Sequence, residues 1–330
     1  GGHASDCLAA LRAATREGVA AAHARMVAAV HAEALVLGNV GAGEAEALAG
    51  ELRAALGGAR ALREEEHPAD RVVAVPAGRQ PWLVEVEAHN PEEENSVAEL
   101  YFQVETPLPA HDASGMGAAP ARARALCDLA EQVVAEPFFD VLRTKEQLGY
   151  TVHAGARLTH GVLGFCCVVQ SSERPAPELA ARMEAFLTTF RATLAEMPPE
   201  EFERHRAALA AAKLERDTCL RDEADAAWQA ISAGHFDFSS RASEAAALRS
   251  VSHADLLAWY DEHVSPASAS RRQLLVLCHS RGHLAAMEQR PRLAGPEEVA
   301  RAKQALPCWP SHNCAAPASL PHVRRAPGGA

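Results

Sequence analysis

Glu136-Pro-Phe-Phe-Asp-Val-Leu-Arg-Thr-Lys-Glu-Gln-Leu-Gly-Tyr150 is where the chain passes from helical to alternating patterning. Before it, Leu126, Leu129 and Val133 fall on one stripe, which predicts a helix over about 121–136. Pro137 has no amide to donate and crowds the preceding turn, so it should break or kink that helix. Phe138 to Lys145 then reads as another short helix. Gly149-Tyr-Thr-Val-His153 and Gly161-Val-Leu-Gly-Phe-Cys-Cys-Val-Val-Gln170 read as two strands after it. Arg143 and Tyr150 bracket the polar run Thr-Lys-Glu-Gln at this helix-to-strand junction. Arginine offers five donors in a fixed fork, and tyrosine a phenolic donor on a rigid arm. Such a pair suits a peptide carbonyl or an oxyanion. The residues alone favour the plainer reading, an exposed helix end followed by a strand.

Working outward, two more strands precede this block. Trp82, Val84, Val86 and Ala88 alternate with Leu83, Glu85 and Glu87. Leu100, Phe102 and Val104 alternate with Glu99, Tyr101 and Gln103. Both runs have period two, which predicts one buried and one wet face. Residues 107–120 are rich in Pro, Gly and Ala and read as a loop. Downstream, Leu179, Met183, Phe186, Leu187, Phe190 and Leu194 keep helical spacing up to Pro198-Pro199. Helices follow at about 200–221 and 223–233. Ser252-x-x-Asp255 resembles a capping box opening a helix to His263. Gln273-Leu-Leu-Val-Leu-Cys278 reads as a last strand. At the front, residues 8–34 read as a helix, Glu33–Asn39 as a strand, and 42–56 as a helix stopped by Gly57-Gly58.

The succession of strands, helix, strands, helices and strand predicts an α+β fold, an antiparallel sheet flanked by long helices. The expected divisions are 1–60 as the end of one domain and 61–75 as a charged linker. A main domain over 76–285 and a loosely ordered tail over 286–330 complete the chain.

Bulk properties narrow the function. With 330 residues, 48% of them hydrophobic and 23% charged, the chain holds enough material for two cored domains. A net charge of −11 argues against nucleic acid as a partner, since phosphate binding needs a basic stripe. No apolar window reaches the length of a membrane span, and the N-terminus has no secretory pattern. The chain lacks an initiator Met, so the full-length protein's leader is open. The eight cysteines sit mostly in apolar runs and read as reduced thiols of a cytoplasm-like compartment.

The search for a reaction centre is mostly negative. The sixteen histidines form neither H-x-x-E-H nor an inversion of it, and no nucleophile elbow or phosphate loop is present. Cys278, His279, His283, Cys308, His312 and Cys314 are the nearest zinc-like set. Their spacing matches no common tetrahedral module, and a metal-free loop is the better reading. Glu64-x-x-His67 reads as a solvated linker rather than a carboxylate–imidazole pair. His153 and His160 flank the strand pair and read as surface histidines. No residue is therefore assigned to metal or to catalysis.

The block from Glu136 to Tyr150 resembles the C-terminal half of the insulysin- and nardilysin-type metallopeptidases, the pitrilysin or inverzincin family. Shorter pieces resemble the same family in order: Ala34-Leu-Val-Leu-Gly-Asn39, Asn95-Ser-Val-Ala-Glu-Leu-Tyr-Phe-Gln103, Gly161 to Ser172, Glu184-Ala-Phe-Leu187 and Phe236-Asp-Phe238. The resemblance spans about residues 8–280. It implies the end of a third α+β domain followed by a zinc-free fourth one, of a hydrolase that closes around peptide substrate. Zinc and its ligands would belong to an N-terminal catalytic half, and this chain alone would be inactive. Arg143 and Tyr150 match the family's substrate-contacting arginine and tyrosine, and are the expected substrate-binding residues. The alternative is a stand-alone, zinc-free relative acting as a partner or scaffold subunit. An upstream in-frame H-x-x-E-H would separate the two.

Overall fold

Ser96–Gln103 (β4) is the central strand of the main sheet, with two further strands on each side. A computed structural model describes residues 4–63, 66–67, 72–104, 118–232, 236–289, 291 and 293–308. Two compact units divide the chain. One is drawn from Gly1–Ala69 and Asp217–Phe238, the other from Asp70–Arg216 and Ser239–Ser311. The segment Asp217–Phe238 thus groups with the earlier residues, whereas its sequence position lies inside the expected 76–285 domain.

In the larger unit, β3 (Trp82–Glu87), β4, β5 (Thr151–Thr159), β6 (Val162–Ser171) and β7 (Gln273–His279) form one sheet, ordered β3-β7-β4-β6-β5. β4 runs antiparallel to β6 and β7, and β5 to β6. β3 runs parallel to β7, so the sheet is mixed rather than wholly antiparallel. The reason is that β7 returns from the end of the unit and inserts between β3 and β4. His160 and Gly161 join β5 to β6, with φ of 44° and 80°. Two consecutive left-handed residues give the turn whose twist matches a tight hairpin.

The core lies on one face of this sheet. Ala98, Leu100 and Phe102 of β4 are fully buried there. Against them pack α4 (Ala118–Phe139), α5 (Ala176–Ala195) and α9 (His253–His263). α5 buries the whole expected stripe from Leu179 to Leu194. Phe138 meets Phe186 edge to face at 5.2 Å, and the Tyr260 hydroxyl donates to the Leu187 carbonyl at 2.7 Å. The other face of β4 is not uniformly wet, as its alternation had predicted. Tyr101 and Gln103 are buried, because the Gln103 amide accepts from Val75 N–H at 2.8 Å and donates to the Val73 carbonyl at 2.7 Å.

Other sequence expectations need correction. α4 does not stop at Pro137. It runs through to Phe139 and passes directly into a π-helical turn, Asp140–Lys145. The fully buried Phe138 and Leu142 hold the chain in helical form across the missing amide. α6 (Pro199–Leu214) ends earlier than expected, where Glu215 turns extended. α7 (Leu220–Ser232) follows, and α8 (Ser240–Leu248) lies where no helix was predicted. α10 (Arg281–Ala286) closes the expected 76–285 stretch, and α11 (Pro296–Ala305) falls within residues 286–330. Val73 and Cys308 form an isolated antiparallel bridge. Most of the predicted 107–120 loop lies outside the described residues.

The smaller unit holds α1 (Ala4–Arg12), α2 (Arg16–Ala28), β1 (Ala29–Val30), α3 (Ala42–Ala55), β2 (Arg60–Ala61) and α7. The expected single helix over 8–34 is split, because Thr15 caps α2 by accepting from Gly18 N–H at 3.0 Å. Residues 33–39 are not a strand. Among the described residues the parallel ladder uses Ala29 and Val30 with Arg60 and Ala61 instead.

Candidate functional site

The junction between the π-helical turn and β5 is built from backbone upward. Glu146 N–H donates to the Val141 carbonyl at 2.9 Å, and Leu148 N–H to the Leu142 carbonyl at 2.9 Å. These bonds close a wide turn. Leu148 drops into the core, 4% exposed. Gln147 takes a left-handed φ of 51°, a costly conformation for a residue with a side chain. Gly149 then passes against β6. A Cβ there would stand 1.9 Å from the Gln170 carbonyl oxygen. The chain next presents Tyr150, 85% exposed, before β5 begins.

Arg143 sits on the π-helical turn beside it. Its guanidinium lies 4.6 Å from the Tyr150 ring centroid and 5.3 Å from that of Phe139. One guanidinium nitrogen donates to the Tyr150 carbonyl. The structure therefore brings the two expected residues together, as a planar cation between two rings. The polar run between them is turned onto the protein itself. Lys145 pairs with Asp140 at 2.7 Å. Glu146 takes the fork of Arg182 on α5, with Nε to Oε2 at 2.8 Å and an NH2 contact at 2.5 Å. The Arg182 hydrogen bonds hold the Glu146 carboxyl below the usual carboxylate range, against a smaller opposing effect of burial. Sequence reasoning missed Glu146, Gln147, Gly149 and Arg182. Only the Leu-Gly step hinted at a close backbone approach.

The zinc-like residues part company. His279 ends β7, fully buried, with Nε2 3.3 Å from Glu85. His283 lies on α10, with Nδ1 2.8 Å from the Ser96 hydroxyl. Ser280 caps α10 between them, so their spacing is not that of one helix face. Cys278 is half-buried and Cys308 exposed, while His312 and Cys314 lie outside the described residues. Among the described residues no group of three or more His, Cys, Asp or Glu side chains could hold a metal ion. The residues described do not fit a zinc site. Glu64 is also outside the described residues; the His67 ring lies 4.2 Å from that of His31. His153 is exposed on β5, and His160 occupies the β5–β6 turn.

Comparison with known proteins agrees with this architecture. Residues 129–228 match the family model described as PQQ synthase PqqF-like, C-terminal lobe domain 4. A nardilysin-like protein of Arabidopsis thaliana is 34% identical over 207 residues, 63% of this chain and 19% of that protein. An insulin-degrading enzyme of Drosophila melanogaster is 32% identical over 251 residues, 75% of this chain and 24% of that protein. The chain therefore spans about a fifth to a quarter of the curated relatives it matches. The crystal structure of pitrilysin superposes with a TM-score of 0.72 at 22% identity, over 93% of this chain and 31% of that one, which shows the shared fold. The chain belongs to the insulysin-type M16 peptidase family, with the nardilysins and insulin-degrading enzymes, and what it matches there is the C-terminal half.

Proposed function

We propose that this chain is the non-catalytic, C-terminal part of an insulysin-like zinc metalloendopeptidase. It holds peptide substrate and closes the chamber over a zinc site carried by an N-terminal catalytic half, in the cytoplasm. The observation that carries this reading is the pairing of Arg143 with a Tyr150 that is 85% exposed. A phenol and a guanidinium held this close offer a peptide backbone several donors at once, already oriented. In the chain itself they act as binding groups, and hydrolysis requires the catalytic half.

Two measurements test this. Fluorescence anisotropy of labelled insulin B chain, a probe chosen from the relatives' names, reports binding to the 330-residue chain. Tyr150→Phe and Arg143→Ala should each weaken it. In the longest natural polypeptide containing this chain, Tyr150→Phe should lower kcat by about 10²–10³-fold with the fold intact, the usual effect of losing one preorganised donor. Unchanged binding and unchanged turnover in both variants would remove the substrate-holding role. Chelator-sensitive cleavage by the purified chain alone would overturn its assignment as non-catalytic.

A further inference from the structure

Tyr150 is exposed, yet three of the four residues before it are anchored. Leu148 is in the core, Gly149 lies against the β6 backbone, and Glu146 is clasped by Arg182. Of these anchors the Glu146–Arg182 pair is the one whose hydrogen bonds run to a side chain of α5. Arg182 is held in turn by a helix anchored close beside it, since Leu179 and Phe186, one turn to either side, and the adjacent Met183 are buried in the core. The pair is bidentate, the geometry that fixes direction as well as distance. It sits next to Gln147, whose left-handed backbone persists only if its surroundings over-determine it.

We infer that Glu146 and Arg182 are positioning residues: their ion pair sets where the Tyr150 phenol and the Arg143 fork point, without touching the peptide. This rests on the substrate-holding reading above. It also explains why an acidic residue stands between two groups meant to meet an acceptor. With its carboxylate in the Arg182 fork, Glu146 is drawn away from Arg143, whose donors stay available to Tyr150 and to a ligand. A free Glu146 would be a competing acceptor a few residues from Arg143.

The test uses the whole chain with 3-fluorotyrosine at its three tyrosines, each giving a fluorine resonance, with that of position 150 assigned by Tyr150→Phe. Glu146→Gln and Arg182→Gln should each shift and broaden the Tyr150 signal. The signals of the buried Tyr101 and Tyr260 should stay in place. The same variants should weaken insulin B chain binding roughly two- to tenfold, the span for losing a partly exposed bidentate pair. The charge swap E146R with R182E should recover both readouts in part. A Tyr150 signal unmoved in both single variants overturns the positioning role, whatever Tyr150→Phe does to affinity. A signal that moves while Tyr150→Phe and Arg143→Ala leave affinity unchanged overturns instead the peptide reading on which the inference rests. Signals that move at all three tyrosines mark a general loss of packing and overturn the positioning role as well.

Discussion

Gly149 shows how little room surrounds the site. Its Cα faces the Gln170 carbonyl so closely that an added methyl would meet the oxygen at 1.9 Å and the carbon at 2.8 Å. Both are backbone atoms, so no side-chain rotation relieves the clash. Gly149→Ala should therefore push β5 or the turn out of place and cost about 1–3 kcal/mol or more. Urea unfolding would measure the cost, and the peptide affinity of the folded fraction should fall with it. This constraint was only half legible in the sequence. A glycine before an aromatic residue signals a special backbone, but its partner is Gln170, on a strand that local patterning cannot place beside it. Arg143 and Tyr150 were singled out through family resemblance. The clasp of Glu146 was not, because Arg182 lies on another helix.

Among elements, α9 was the most readable and α4 the least. Ser252 and Asp255 form the predicted capping box: Ser252 N–H donates to the Asp255 carboxylate at 2.8 Å, and Asp255 N–H to the Ser252 hydroxyl at 3.2 Å. Every partner is within three residues, so the sequence contains the whole interaction. Ser252→Ala should cost about 0.5–2 kcal/mol in a denaturant melt. The Ser252 hydrogen bonds, helped by Arg122, hold the Asp255 carboxyl down at about 2. Its folded value is depressed, so its contribution is complete above the ordinary value of 3.8 and is lost as pH falls through about 2. Asp255→Asn should flatten the stability profile across that acid window, measured by urea unfolding at stepped pH. In α4 the local rule failed. Pro137 is a helix breaker by its own chemistry, but Phe138 just after it and Leu142 within the π-helical turn are fully buried. Residues 33–39 failed for the converse reason. They hold a short apolar run, Ala34 to Leu37, like a strand, yet a strand exists only where a neighbour supplies its ladder, and pattern does not reveal the neighbour.

On the scale of the larger unit, α4, α6 and α8 are joined by a nearly buried ion network. Lys213 donates to Asp128 and to Glu244 at 2.6 Å each, and Arg124 pairs with Glu244 at 2.7 Å. Burial alone would lower the Lys213 pKa, but Asp128 and Glu244 outweigh it and raise it above the ordinary 10.5. A raised lysine stabilises the fold fully below its unfolded value, and that stabilisation disappears as pH rises through the folded value. Stability should thus fall on the alkaline side beyond about pH 10.5, and Lys213→Met should make that limb shallower, the rest coming from the buried Tyr101, Tyr260, Cys127 and Cys167, whose values burial also raises. The same variant takes the lysine from Asp128 and leaves Glu244 to Arg124 alone, at a cost of up to about 3–5 kcal/mol at neutral pH in urea melts. No window of sequence predicts this triangle, since its members come from three separate helices.

The insertion of β7 between β3 and β4 also governs how the polypeptide must be born. Val97 and its β7 partner Cys278 are about 180 residues apart in sequence. While the chain is being synthesised, β4 can pair with β6, but its second edge waits until the segment ending at His279 has left the ribosome. β3 waits with it, since its sheet partner is β7 as well. At about 5–20 residues per second, that is an interval of seconds during which an apolar strand edge is uncovered. Pairings this distant are the slowest to close and the most open to association with other chains. Any interruption of synthesis before residue 279 leaves the sheet with a gap in its middle rather than a shortened end.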